Sequence, residues 1–506
     1  MEQTFDKIVD FLYLAKQGGV EFVLNGEQLQ LKVAENIIVD DILLEKIKKN
    51  KGLIIDFLSS NDWKSKKVDK NYKKISSFER STVEHIPLSF AQERLWFIDR
   101  LEGSTQYHSL IILRLKGFLN RGALSSALQA VVDRHEILRT VYYELDGKIF
   151  QRTLGCNTWS LSMIEEFALE NDEAGLVNLL EKLLKEPFDL TRDHTLRASL
   201  IRIGEQEYIL GVTLHHIACD GWSIPLIVRE VVELYSSFKE ERTTGLKPLE
   251  LQYADYAVWQ RNYLKGDVLE RKMEYWKSKL LGVSPLELPT DYLRPVVRSY
   301  GGGSAHLKLD SSILVELREL SRQNGCSLYM TLLAGFKVLL HRYSNQEDIC
   351  VGTSIANRTQ RETEDLIGFF VNTLALRTKV DQAASFIELL KEVRATTMEA
   401  YECQDIPFEK VVEAVLKERD SSRTPVFQVM FVLRNTPAAP ELRFDEITLS
   451  IEGREKNTSK FDLTFVLTEG LNGLHVSVEY STDLFSSQTI EGMLVHFREL
   501  LVSIVR

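Results

Sequence analysis

The sequence predicts a mixed α/β protein built from more than one domain. At 506 residues the chain is too long for a single hydrophobic core, since chains beyond about 250–300 residues divide into domains. From Glu84 onward, stretches with helical periodicity alternate with short strand-like runs to the end. A small patterned unit precedes them and is separated by a polar stretch. We therefore expect a small N-terminal domain, a linker and a large α/β region.

Composition excludes several classes of protein. The hydrophobic fraction of 44% and the charged fraction of 27% are typical of globular proteins. The formal net charge of −11 argues against general binding of nucleic acid. The sequence shows neither a signal peptide nor an apolar run long enough to span a membrane, so we expect a cytoplasmic protein without a membrane partner. Five scattered cysteines without a CxxC pair are typical of reduced thiols.

Residues 1–57 follow an αββαα order, and residues 58–83 follow none. A helical pattern ends at Gly18-Gly19, and VEFVLNGEQLQLKV then gives two strand-like runs joined by Asn25-Gly26, a strong hairpin signal. Apolar residues between Ile42 and Ile55 predict one or two further helices. The next stretch gathers lysines and serines, which is typical of a solvated tether.

In the large region, the predicted elements are spread evenly along the chain. Helical periodicity predicts helices at 121–134, 173–185, 223–238, 312–323, 327–343 and 487–503. Strand-like runs occur at 109–116, 137–144, 198–203, 207–214, 349–355, 371–379, 426–433 and 473–479.

The stretch EYILGVTLHHIACDGWSIPLIVREVVELY is the most informative one chemically. An apolar strand ends at His215 and His216, and a loop leads to a helix with Ser223 as its expected N-cap. Adjacent strand residues point to opposite faces, so this pair cannot easily hold one ion, and no metal site is expected. A neutral imidazole suits general-base catalysis, although a histidine pair in an apolar strand is often structural. From these residues alone both interpretations stay open.

The loop after the histidines carries two further candidates. Asp220 lies across a turn, where a buried carboxylate needs an ion-pair partner. Gly221 is expected to permit a tight backbone.

HHIACDG resembles the HHxxxDG motif of condensation domains of non-ribosomal peptide synthetases, which belong to the chloramphenicol-acetyltransferase-like superfamily. Further segments resemble other motifs of that family and occur in the family's order. They are LSFAQERLW (88–96), RHEILRT (134–140), YADYAVW (253–259), IGFFVNTLALR (367–377), QDIPFE (404–409) and RDSSRTPVFQ (419–428). Any one of them is weak, but the ordered set covers essentially the whole of residues 84–506.

The resemblance implies a fold and a reaction. The fold is two acetyltransferase-like α/β lobes in a V around a tunnel, expected at residues 84–262 and 263–506. The reaction is peptide bond formation between a donor acyl or peptidyl thioester and an acceptor aminoacyl thioester. Both substrates arrive on the phosphopantetheine arms of carrier domains, so the domain needs no cofactor of its own. Among the subtypes, the sequence most resembles those that join an L-configured donor to an L-configured acceptor.

The resemblance also assigns roles within the histidine motif. His216 matches the family's catalytic histidine, acting either as a base or as a group that positions the acceptor amine. Gly221 brings its backbone amide near the reacting carbonyl. Asp220 is a scaffold rather than a proton carrier, and His215 is structural by strand parity.

Outside the motif, four arginine and asparagine residues are expected to support the site. Arg358 is the expected ion-pair partner of Asp220, with Arg294 as the second choice. Arg94 is expected to line or brace the tunnel, with an ordinary surface-helix arginine as the alternative. Asn372 is expected in the segment that bridges the tunnel.

Residues 1–57 resemble the tubulysin-type N-terminal docking domains of such synthetases, with a stabilising cap as the alternative. A docking unit would capture the C-terminal tail of an upstream synthetase subunit by strand addition. The expected receiving strand comprises Gln28, Leu29, Gln30, Leu31, Lys32 and Val33. The lysines expected to favour an acidic tail, besides Lys32, are Lys46, Lys48, Lys49 and Lys51.

Three alternatives to a condensation domain are less well supported. An epimerisation domain shares HHxxxDG, but the AQERLW and QDIPFE segments resemble condensation motifs. A heterocyclisation domain is disfavoured because an aspartate-rich motif replaces its histidine motif. A catalytically silent module that only binds carrier domains is disfavoured by the intact His216 and Asp220.

Overall fold

The structure is a computed structural model of the chain. It describes residues 20–25, 28–33, 47, 51, 54, 74–165, 172–416, 420–434, 442–444, 447–451, 458–470 and 473–506. Elements are numbered in chain order over these residues.

The strands, which form two six-stranded sheets and two small ones, have the following bounds. They are β1 (Val20–Asn25), β2 (Gln28–Val33), β3 (Ile86–Pro87), β4 (His108–Lys116), β5 (Thr140–Leu145), β6 (Lys148–Thr153), β7 (Ser162–Glu165), β8 (Leu196–Arg202), β9 (Glu207–His215), β10 (Gly302–Leu309), β11 (Asp348–Ile355), β12 (Asn372–Lys379), β13 (Val429–Arg434), β14 (Leu442–Phe444), β15 (Ile447–Ile451), β16 (Leu463–Gly470) and β17 (Gly473–Ser481).

The α-helices of eight residues or more within the described chain have the following bounds. They are α1 (Phe90–Glu102), α2 (Arg121–Arg134), α3 (Glu173–Lys185), α4 (Ser223–Lys239), α5 (Tyr253–Tyr263), α6 (Asp267–Leu280), α7 (Ser311–Gln323), α8 (Leu328–Ser344), α9 (Phe386–Glu402), α10 (Phe408–Val415) and α11 (Ser487–Val505).

The first large sheet has the strand order β14-β15-β4-β9-β8-β7, and β9 lies in its interior. Alternate residues of β9 face different partners, as the strand period of two requires. Leu210 and Val212 join the core formed with α2 and α4. Ile209 joins a separate cluster with Leu176 and Leu180 of α3. Because helices cover both faces, β9 is apolar along nearly its whole length.

The second large sheet has the order β10-β17-β16-β13-β11-β12, with β13 parallel to both β11 and β16. Helix α8 packs between this sheet and helices α9 and α11. Its Phe336 ring stacks on Phe431 and lies against Phe465 and Phe497. These aromatic rings form the centre of the second core.

The chain exchanges segments between the two sheets. Strand β15 pairs antiparallel with β4 at the edge of the first sheet, although it lies near the end of the sequence. Residues 356–371, here called the β11–β12 connection, leave the second sheet and place Leu366, Ile367 and Phe370 in the first core. The first core therefore contains residues from both predicted lobes, 84–262 and 263–506. The boundary between these lobes stays a prediction.

Most elements predicted in the large region form within a few residues of their predicted bounds, but two strand starts were wrong. The run 137–144 begins with a 3₁₀ turn, Glu136–Arg139, before β5 starts at Thr140. The run 426–433 starts only at Val429, because Val426 has a φ of 70°, which is outside the extended region. Periodicity also missed α1, α5, α6, α9 and α10, along with β3, β6, β7, β10, β14, β15 and β16.

The N-terminal hairpin is present. Strands β1 and β2 are antiparallel, with Phe22 opposite Leu31 and Asn25 opposite Gln28. Asn25 therefore lies in β1, whereas the sequence predicted it in the turn that joins the strands. Ile47 and Ile54 are helical and buried, while Lys51 is helical and exposed. The rest of the predicted helices, with Lys46, Lys48 and Lys49, lies outside the described residues.

The predicted linker ends earlier than expected. Residues 74–83, here called the arm, lie against the large α/β region, and Ile75 is only 3% exposed within the first core. The prediction of a solvated tether up to residue 83 was wrong for this segment, because Ile75 buries apolar surface there.

Candidate active site at the end of strand β9

His215 is a buried structural residue. Its Nδ1 accepts a hydrogen bond from the Ile217 backbone N–H at 3.0 Å, so Nε2 carries the proton and donates to Ser104 Oγ at 2.7 Å. The ring packs edge-on against His108 and Phe188. Burial, reinforced by the neighbouring histidines, lowers the pKa of His215 to about 3. The ring is therefore neutral near pH 7 and has both nitrogens engaged.

His216 has a different environment and is only partly buried. Its Nδ1 lies 3.1 Å from the Cys219 carbonyl oxygen, which can only accept, so Nδ1 carries the proton. Nε2 then bears the lone pair, and Ser109 Oγ, 3.1 Å away on β4, donates to it. The ring centroid lies 6.0 Å from that of Phe369 in the β11–β12 connection. This arrangement makes Nε2 the basic atom of the site.

Asp220 is buried and fully engaged in hydrogen bonds. Its Oδ1 accepts from the backbone N–H of Ser223 at 3.0 Å and from Ser223 Oγ at 2.8 Å. Its Oδ2 accepts from the Phe370 N–H at 3.1 Å. The expected ion pair with Arg358 is present, with Nη2 3.1 Å from Oδ1. These partners fix the shape of residues 215–222, here called the histidine loop.

Arg358 reaches this position from the β11–β12 connection. Its Nη1 donates to the carbonyl oxygens of Thr363 and Leu366, and its guanidinium lies 4.1 Å from the Phe370 ring centroid. Burial lowers the pKa of Arg358, although Asp220 opposes that shift. Arg294, the second choice as partner of Asp220, instead pairs with Asp462.

A pocket lies beside the histidine loop between α1, α5 and the start of β12. Arg94 lines it and forms an ion pair with Glu409 of α10 at 2.5 Å. Asn372 also lines it, and its side chain donates to the carbonyl oxygens of Gln404 and Ile406. Phe369 connects this pocket to His216, because it lines the pocket and faces the imidazole.

Two expectations for the histidine loop were wrong. Gly221 has no left-handed φ, and a Cβ built there meets no atom within 4 Å, so no tight backbone requires glycine. Ser223 is not the N-cap of α4, which is Trp222 without a side-chain cap. The Ser223 hydroxyl instead donates to Asp220 Oδ1 at 2.8 Å. Cys219 is no candidate nucleophile, since burial raises the pKa of its thiol.

Sequence reasoning missed three groups that contact the site residues. They are the Ser109 hydroxyl, the Phe370 N–H and the pair of contacts between Ser223 Oγ and the Gly368 backbone. Only Ser223 carried a usable signal, as a hydroxyl three residues after a buried aspartate. Ser109 reaches the site through the pairing of β4 with β9, whereas Gly368 and Phe370 reach it from the β11–β12 connection.

Within the part of the chain that the structure describes, no cluster of three or more His, Cys, Asp or Glu side chains is arranged to hold a metal ion. In those same residues no helix is long and apolar enough to cross a membrane.

Comparison with known proteins gives consistent matches for the large α/β region. A family model described as Condensation domain matches residues 82–506. One of the linear gramicidin synthase proteins of Brevibacillus parabrevis is 45% identical over 429 residues, which cover 83% of this chain and 6% of that protein. The dimodular nonribosomal peptide synthase of Bacillus subtilis (strain 168) is 38% identical over 431 residues, or 83% of this chain and 18% of that protein. The chain thus spans a small part of these relatives.

A solved structure supports the same assignment. The complex of the X-domain and OxyB from teicoplanin biosynthesis contains a chain with a TM-score of 0.77 and 28% identity, over 86% of this chain and 95% of that one. This likeness and the two mixed sheets define a chloramphenicol-acetyltransferase-like α/β fold. The chain belongs to the condensation-domain family. It is an amide-forming acyltransferase domain, and the alternatives of an epimerisation domain and of a catalytically silent carrier-binding module are not favoured.

Proposed function

We propose that His216 acts directly on the acceptor amine while the domain joins a donor acyl or peptidyl thioester to an acceptor aminoacyl thioester. Both substrates would arrive on phosphopantetheine arms of carrier domains, so the domain needs no resident cofactor. The observation that carries the proposal is the hydrogen bonding of the His216 ring. Donation from Nδ1 to the Cys219 carbonyl leaves Nε2 basic, and its partner, the Ser109 hydroxyl, is one that an incoming amine can replace.

The reaction needs one proton to move. The amine nitrogen attacks the thioester carbonyl carbon, a C–N bond forms, and the C–S bond breaks to release the donor thiol. His216 Nε2 accepts the amine proton as the bond forms and returns it to the departing thiolate. General-base help of this kind typically contributes about 10²–10⁴-fold in rate.

The other motif residues support this step without carrying the proton. Both oxygens of Asp220 accept hydrogen bonds, so its role is to hold the histidine loop in shape. The backbone amide of Gly221 is the candidate donor to the oxyanion that develops on the carbonyl oxygen. Arg94 and Asn372 line the neighbouring pocket and are the proposed contacts of a substrate arm.

Reconstitution with loaded carriers tests this function. Donor and acceptor carrier domains would be loaded from a panel of L-aminoacyl coenzyme A thioesters and mixed with the full chain. Intact-protein mass spectrometry should show an acyl-aminoacyl thioester on the acceptor carrier. In D₂O the product should contain no deuterium at Cα of the donor. Absence of product from every pair, or Cα exchange without amide formation, would contradict the proposal.

We also propose that residues 1–57 dock the C-terminal tail of an upstream synthetase subunit. Within the described residues, β1 and β2 pair only with each other, which leaves outer strand edges available for strand addition. Gln30, at the centre of β2, is exposed. An acidic tail would be favoured by Lys32 and by the lysines at 46, 48, 49 and 51. The receiving strand is Gln28–Val33.

Fluorescence anisotropy of labelled tails tests the docking proposal. Peptides of the last 20 or so residues of co-encoded synthetase subunits would be titrated with the full chain. Binding should weaken with added salt and with Lys32→Glu, while Lys308→Glu on β10 of the second sheet serves as the matched control. If no tail binds, and removal of residues 1–57 leaves transfer from a separate upstream subunit unchanged, the docking proposal is wrong.

A further inference from the structure

The arm donates a hydrogen bond to the β11–β12 connection and buries one apolar side chain in the first core. The Ile75 backbone N–H donates to Gln360 Oε1 at 2.9 Å, and this bond is buried. The Ile75 side chain is 3% exposed and belongs to the same core as Leu366 and Ile367 of the connection. Lys74 adds an ion pair to Glu362 at 2.5 Å.

The other end of the arm is fixed to the first sheet's side of the molecule. The Phe78 N–H and Arg80 Nη1 both bond Asp255 Oδ1 of α5, at 3.2 and 2.7 Å. Arg80 also pairs with Glu136 at 2.8 Å. Asp255 is buried, which strengthens these charge-assisted contacts relative to exposed ones. These contacts hold the end of the arm at Phe78 and Arg80 in place, while its start at Ile75 contacts the connection.

The connection in turn holds the histidine loop. Two residues before Gln360, Arg358 forms the buried ion pair with Asp220. Ten residues after Gln360, the Phe370 N–H donates to the same carboxylate. A short series of contacts thus runs from Ile75 through Gln360 and Arg358 to the loop that carries His216. The family match starts at residue 82, so most of the arm lies outside it.

We propose that residues 74–80 are a clamp that positions the histidine loop, with Ile75 and Gln360 as positioning residues for amide formation. The proposal rests on the function proposed for His216. Neither residue lines the pocket, so the clamp acts on loop geometry rather than on substrate contacts. Small misplacement of reacting groups by a distant change can cost about 10²-fold in rate. Loosening the clamp should therefore lower kcat and leave KM for the acceptor carrier nearly unchanged.

The test compares Ile75→Ala and Gln360→Leu with Leu128→Ala in the full chain. Leu128 is as deeply buried in the first core, on α2, but lines a small cavity with Ile111, Leu210 and Val231 rather than lying in the β11–β12 connection. It thus controls for lost stability. Trp222 gives a second readout, because its indole N–H donates to the Glu364 carbonyl of the connection at 2.9 Å. Labelling with 5-fluorotryptophan, with Trp222→Phe for assignment, yields its ¹⁹F resonance.

Measurements are made at a temperature where circular dichroism shows every variant folded. Ile75→Ala and Gln360→Leu should lower kcat about 10-fold, keep KM within about two-fold, and shift the Trp222 resonance. Leu128→Ala should change neither kcat nor that resonance. The clamp is refuted if Ile75→Ala leaves both readouts unchanged or if Leu128→Ala alters them equally. If no substrate pair yields product, the proposed function fails, and the Trp222 resonance alone decides on the clamp.

Discussion

The histidine loop and the β11–β12 connection each follow a strand of one of the two large sheets, but they contribute different groups to the site. The histidine loop follows strand β9, and the connection follows strand β11. The histidine loop stays with its own sheet and carries the groups that titrate. The connection leaves its sheet and brings a guanidinium, a backbone N–H and apolar side chains to the first core. The proposed reacting groups are therefore close together in the sequence. The guanidinium that holds their loop in place, that of Arg358, lies 138 residues after Asp220.

This difference separates two kinds of expected damage. A change in the histidine loop that removes a reacting atom should lower the rate and leave the fold intact. A change in the connection should first lower stability, because its groups are buried and paired. Substitutions in the two regions test that separation, beginning with the largest expected effect.

His216→Gln should lower the rate of amide formation by about 10²–10⁴-fold, because the variant lacks the basic Nε2. The side chain is partly exposed, so the melting temperature should change little. Product on the acceptor carrier is quantified by mass spectrometry under multiple turnover. His215→Gln is the matched control, since it makes the same substitution at the neighbouring histidine, whose ring nitrogens bond Ile217 and Ser104. Formation of product at the wild-type rate by His216→Gln would remove the catalytic assignment.

Arg358→Met should lower the free energy of unfolding by about 3–5 kcal/mol, because it leaves the Asp220 carboxylate buried without its counter-charge. Urea unfolding followed by circular dichroism measures this loss. Arg229→Ala provides the control, since its ion pair with Asp365 of the same connection is exposed on both sides. Its loss should cost less than about 1 kcal/mol. Equal costs for the two variants would show that burial of the Asp220 pair contributes nothing.

His215 should make stability depend on pH in acid. Burial lowers the pKa of His215 to about 3 from an ordinary value of about 6.5. Between these values the unfolded chain binds a proton that the folded chain does not. Stability is therefore fully present above pH 6.5 and falls as the pH decreases towards 3, by up to ~1.4 kcal/mol per pH unit. Between pH 6 and pH 4, the free energy of unfolding of His215→Gln, measured with urea, should fall less per pH unit than that of the wild type. Parallel curves for variant and wild type would contradict this.

The parts of the site that could be predicted from the sequence are those indicated by patterns among neighbouring residues. The apolar run that ends at His215 and His216 predicts a strand, and β9 ends at His215. The two histidines then bond different partners, Ser104 and Ser109. The proposed roles of these residues, and those of Asp220 and Arg358, rest on resemblance and stay predictions until tested.

The parts that the sequence did not predict depend on tertiary topology. Nothing in the residues around Ser109 indicates that β4 pairs with β9 in the register that sets His108 opposite His215. The Phe370 N–H has no side-chain signature at all. The arm was misjudged because polar and charged residues outnumber its apolar ones, whereas a single residue, Ile75, decides that it packs.

The two regions should also differ in how a glycine-to-alanine substitution changes the free energy of unfolding. These are the smallest effects that we expect. Gly368 in the connection lies against the Tyr253 ring, which a Cβ would overlap. That ring cannot move freely, because its hydroxyl donates to the Phe369 carbonyl at 2.6 Å and it is buried. Gly368→Ala should therefore cost about 1–3 kcal/mol in urea unfolding.

Gly221 in the histidine loop should behave in the opposite way. Its φ is compatible with alanine and the added Cβ meets open space, so Gly221→Ala should change stability by less than about 0.5 kcal/mol. The sign should tend towards stabilisation, because alanine restricts the unfolded chain more than glycine does. Comparison of the two single variants with the double variant shows whether their effects add. A Gly221→Ala cost as large as that of Gly368→Ala would mean that the histidine loop is packed as tightly as the connection, and the contrast between the two regions would be lost.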